Sequence, residues 1–122
     1  MERVIDLDQA AAVIAERAGR WLAAGLTAGQ LTWRDEAAPW PQGLETDRSL
    51  VRDPDSVGVR VLGPADAELS VVLFRGGWAD VDHFDGLDHV RPLSAFGIDS
   101  AAAFGTRLDE WVPHVFEDLR GK

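Results

Sequence analysis

The chain has 122 residues, with 12 lysines and arginines against 21 aspartates and glutamates, for a net charge of −9. Its length predicts one domain, residues 1–122, large enough to bury a single core, and a 46% hydrophobic content excludes a wholly disordered chain. The lack of cysteine excludes disulfides, thiolate nucleophiles and Cys-ligated metals. The acidic balance excludes the basic surface that grips nucleic acid, and favours a basic partner.

The longest apolar runs, Ala10–Ala15 and Val71–Phe74, fall far short of the about 20 residues that a membrane span needs. The N-terminal MERVIDLDQ carries acids where a signal peptide carries bases, so the expected location is cytoplasmic.

In chain order, Asp6 is placed to cap a first helix, with Gln9 three residues on. Ala11, Ile14, Ala18, Trp21, Leu22 and Gly25 recur at helical spacing, which predicts a helix from Leu7 to about Ala24 stopped by the glycines Gly25 and Gly29. Leu31–Arg34 and Leu44–Asp47 read as short strands separated by a loop in which Trp40 sits between two prolines. Asp53-Pro54-Asp55-Ser56 reads as a turn.

The stretch from Val57 to Phe84 alternates with period two and predicts three antiparallel strands. Gly63–Asp66 makes the first turn, and Gly76-Gly77 reads as a two-residue hairpin turn. On the third strand Trp78, Asp80, Asp82 and Phe84 share one face, and Ala79, Val81 and His83 the other. Asp99 is expected to cap a last helix carrying Phe104, Leu108, Trp111 and Val112, which Pro113 should end or kink before a final turn with Val115, Phe116 and Leu119. The fold class is therefore α+β: an antiparallel β-meander of three to five strands with an N-terminal and a C-terminal helix packed on one side.

Catalytic chemistry finds few residues here. DVDHFDG departs from a calcium loop, because the third aspartate comes one residue late and position 12 would be Arg91. His83, His89 and His114 have no zinc-ligand spacing. There is no G-x-S-x-G elbow, and the Gly76-Gly77 pair leads into a strand rather than a phosphate-binding helix. No metal or cofactor is expected, and the chain reads as a binder rather than an enzyme.

The tryptophans say more. Trp21 and Trp111 lie on helix stripes and belong to the core, the spacing leaves Trp33 unplaced, and Trp40 sits in the proline loop. Trp78 beside Asp80, Asp82 and Asp85 has the composition of an aromatic interface anchor within a charged rim.

The stretch Val57–Asp85, and within it LFRGGWADVDHFD, resembles the core of bacterial polymorphic-toxin immunity proteins. The likeness is to those that neutralise ADP-ribosyltransferase toxins directed against elongation factor Tu, and it covers about thirty residues plus the first helix. The resemblance implies an inhibitor that occludes the active or substrate-binding surface of a cognate toxin. Trp78, Asp80, Asp82 and Asp85 are then the contact residues, with Trp40 a further one. Two other readings stay open: a general interaction or chaperone-like module, and a small-molecule binder using Asp80, Asp82 and His83.

Overall fold

A computed structural model describes residues 2–41, 43–84 and 90–120, with residues 90–94 and 117–120 described by their backbone alone. Helix α1 spans Leu7–Ala23, followed by β1 (Thr27–Ala28), β2 (Thr32–Asp35), β3 (Pro54–Leu62), β4 (Glu68–Phe74), β5 (Trp78–Phe84), β6 (Val90–Ala95) and helix α2 (Ala101–Arg120). All strand pairs are antiparallel, in the order β1-β3-β4-β5-β6, with β2 beside β1 on the same edge of β3. Two helices and one antiparallel sheet make this an α+β fold, with the helices packed against the sheet.

Helix α1 starts where its cap can form. The Asp6 carboxylate accepts the orphan N–H groups of Asp8 and Gln9. It ends at Gly25, whose φ of 89° lets Gly25 N–H reach the Leu22 carbonyl and Leu26 N–H the Trp21 carbonyl. Leu7, Ala10, Ile14 and Trp21 are its buried stripe. Leu22, expected on that stripe, is 67% exposed, because the helix turns its Ala10–Ile14–Trp21 line to the sheet.

Three expectations for the rest of the chain are corrected. Asp53–Ser56 is not a turn: Pro54 opens β3, where a missing N–H costs least, and Asp55 and Ser56 continue the strand. Leu44–Asp47 forms no strand, only a bridge between Glu45 and Trp33. The cap of α2 is Ser100, whose hydroxyl accepts Ala103 N–H, rather than Asp99.

Helix α2 does not end at Pro113 but continues through it to Arg120. A proline inside a helix costs about 3 kcal/mol. Each large apolar side chain fully buried offsets about 1.5–3 kcal/mol, and Val112, Val115 and Phe116 are all buried around the proline. Packing therefore outweighs the lost donor. Leu119 belongs to the same helix, though only its backbone is described.

The core joins the helix-facing sides of β3, β4 and β5 to both helices: Val57, Val59, Val61, Leu69, Val71, Leu73, Ala79 and Val81 meet Ile14, Phe104, Leu108 and Phe116. Trp33 joins it at 3% exposure, and Trp21 and Trp111 are buried as expected. The helices approach closely at Gly105, where a Cβ would lie 2.7 Å from Arg17 Nη2. Arg17 uses that space to donate from Nε and Nη2 to both oxygens of Asp109, at 2.8 and 3.0 Å.

This fork holds the Asp109 carboxyl below the ordinary aspartate value of 3.8, as Arg48 does for Asp8. A folded-state pKa below the unfolded one contributes stability that is present above the unfolded value and lost as pH falls through the folded one. Urea titrations should accordingly show a loss of stability below about pH 4. In D109N the stability at neutral pH is lower and its acid dependence flatter; an unchanged acid limb would show that the fork does not bear on folding.

Candidate functional site: the uncovered face of the sheet

Both helices cover one side of the sheet, and the alternate residues of β3, β4 and β5 face the other, which is buried at Ser56 and Gly58 and exposed at Arg60, Asp80 and Asp82. Register places them in rows. Ser56, Phe74 and Trp78 lie level, next to Gly58, Val72 and Asp80, then Arg60, Ser70 and Asp82, and finally Leu62, Glu68 and Phe84. Trp78, Asp80 and Asp82 thus line one strand at a spacing of about 7 Å. The two aspartates are exposed and Trp78 is half-buried.

The half-burial of Trp78 has a cause. Its indole stacks on Phe74 across the strands, with centroids 4.0 Å apart and planes 10° from parallel. The pair forms because the connecting loop has three residues, Arg75-Gly76-Gly77, rather than the two expected. Gly77 N–H closes on the Phe74 carbonyl, and Gly77, at φ 89°, takes the left-handed position. Phe96, one residue beyond the Ala79–Ala95 pair that ends β6, is 69% exposed.

The hairpin is held from behind. The Arg75 carbonyl accepts from Val4 and Ile5 N–H, Arg75 N–H donates to the Asp55 carbonyl, and Ile98 N–H donates to the Gly77 carbonyl. The Arg75 guanidinium is buried, donates to Asp53 at 3.0 Å and lies 3.9 Å from the Asp55 carboxylate. Asp55 Oδ1 and Arg75 Nε have no hydrogen-bond partner among the described residues. Removing either partner would leave the other charge buried and uncompensated, which is costly.

Elsewhere four arginines are committed to carboxylates: Arg3 to Asp53, Arg17 to Asp109, Arg48 to Asp8 and Arg60 to Glu68. Asp35 accepts backbone N–H groups, and Asp47 accepts the Ser49 hydroxyl and then its N–H, which holds both carboxyls below their ordinary range. Among the described residues no cation pairs with Asp80 or Asp82, as is also true of Glu36, Asp66 and Asp99; what sets these two apart is their place side by side on one strand face next to Trp78.

The structure thus brings three expected site residues, Trp78, Asp80 and Asp82, onto one surface. Asp85 lies outside the described residues. Trp40 is 80% exposed, but on the loop between β2 and β3, with Leu44 and Leu50 also exposed there. That loop is anchored by Asp35, which accepts from Ala37, Arg52 and Asp53 N–H. Sequence reasoning missed Phe74. The signal for Phe74 was its place directly before the glycine turn, opposite Trp78.

His83 pairs with Leu69 and follows Val81 on the other parity of β5, so it does not converge with Asp80 and Asp82. The described residues hold no group of three or more His, Asp or Glu side chains able to bind a metal. Grooves of about 190, 330 and 390 Å³ lie at the start of α1, beside Leu44 and Leu50, and between the two helices. Among the described residues, no helix is long and apolar enough to cross a membrane. Compared with known proteins, the chain matches no family model, no curated protein and no solved structure.

Proposed function

We propose that this chain is an immunity-type inhibitor, which binds a cognate bacterial toxin through the open face of its sheet and blocks the toxin's active or substrate-binding surface. The observation that carries the reading is the stacked Phe74–Trp78 pair beside two exposed aspartates that no cation pairs with among the described residues, on a face that neither helix covers. Aromatic side chains supply contact area at low entropic cost, and the carboxylates select a basic partner. A net charge of −9 speeds the encounter with such a partner and repels nucleic acid. Trp40, on its anchored loop, is a second projecting anchor.

The competing small-ligand reading needs Asp80, Asp82 and His83 around one cavity, and their alternation on β5 works against it. A general interaction module would use the same face, and differs only in its partner.

The test is co-expression with the toxic C-terminal domain of a secreted protein encoded beside this gene. Rescue of the poisoned cells and a stoichiometric complex on co-purification are expected. Continued killing with both chains soluble overturns the reading.

A further inference from the structure

Asp80 and Asp82 sit on a strand at a cost, since aspartate is among the residues least suited to strands and like charges on one face repel. Nothing described within the fold offsets that cost, although five arginines elsewhere, Arg3, Arg17, Arg48, Arg60 and Arg75, each reach a carboxylate. The offset is expected from outside. The third member of the line, Trp78, has one ring face against Phe74 and is half-buried rather than sealed.

Trp78, Asp80 and Asp82 form a straight line of three points at a spacing of about 7 Å, the side-chain repeat of an extended chain. Alternate residues of an extended chain stay on one face over the whole line. On a helix, positions four apart rise by about 6 Å and rotate by about 40° each time, so three of them match this straight line and its spacing less closely. A guanidinium suits all three points, because it pairs bidentately with carboxylates and also stacks on an indole.

We infer that the open face receives an extended, arginine-bearing segment of the partner, with basic side chains at alternate positions laid along β5 against Trp78, Asp80 and Asp82. This rests on the reading of that face as the docking surface, and adds the conformation and residue pattern of what docks there.

The probe is a capped peptide of about nine residues alternating arginine with threonine, compared with one of equal composition whose arginines are contiguous. Binding to the full chain is read by calorimetry and by amide shifts on β5. The alternating peptide should bind at least about fivefold more tightly than the block peptide. It should lose about tenfold in D80N/D82N and weaken between about 50 and 300 mM salt. W78A should lose affinity while leaving the salt dependence in place.

Equal binding of the two peptides, or undiminished binding to D80N/D82N, overturns the inference. If neither peptide binds while a toxin domain is still neutralised, the extended-segment inference falls and the docking reading stands. Shifts confined to α1 or to the Trp40 loop would place the cationic site elsewhere and also overturn it.

Discussion

If the open face is the docking surface proposed for it, the double charge reversal D80K/D82K should abolish neutralisation of a cognate toxin while leaving the fold intact. Both side chains are exposed on a strand whose opposite side, Ala79 and Val81, does the packing. Neither aspartate bonds a backbone group or an arginine among the described residues, so the native state loses nothing that holds it together. Surface changes of this kind lie within about ±0.5 kcal/mol. The effect on binding is larger, because like charges set face to face across an interface cost several kcal/mol, or about a hundredfold or more in affinity. The comparison variant D80T/D82T separates the two consequences. Threonine suits a strand better and removes the repulsion, so the melting temperature should rise while affinity falls. Protection that survives charge reversal, with the reversed protein folded, would move the interface off this face.

Much of this arrangement was legible from period alone. Val57, Val59 and Val61, and Leu69, Val71 and Leu73, alternate so regularly that strands β3 and β4 need no other signal. The same period puts Trp78, Asp80 and Asp82 together. That their face stays open is a different kind of fact: it depends on α1 and α2 choosing the same side, which no local pattern encodes. Strand β6 was invisible, since VRPLSA contains a proline and little alternation; it exists because β5 offers it an edge. Pro54 and Pro113 misled for the same reason. Proline rules describe local cost, and in both places tertiary contacts exceed it: the pairing with Asp35 of β2 at one, the burial of Val115 and Phe116 at the other.

The aromatic stack depends on a single backbone position, which gives the largest expected effect on stability. Gly77 closes the β4–β5 loop at φ 89°, and a Cβ there would lie 2.9 Å from the Ile98 carbonyl oxygen and 3.2 Å from Val4 Cγ1. The carbonyl is backbone, and Ile98 is itself tied back by its N–H to the Gly77 carbonyl at 2.8 Å, so it cannot swing aside. G77A therefore combines left-handed strain of about 1–2 kcal/mol with overpacking of about 1–3 kcal/mol. A total of about 2–5 kcal/mol lowers the melting temperature of a domain this size by roughly 10–20 °C. Gly97 is the matched control, since its φ is 72° and a Cβ there meets nothing within 4 Å; G97A bears the strain without the clash and should lose only about 1–2 kcal/mol. If the two variants melt together, the contact with Ile98 is not what fixes the loop. If G77A melts well below G97A, and its folded form also binds the partner less tightly, then one glycine sets both the strand connection and the Phe74–Trp78 surface that the connection presents.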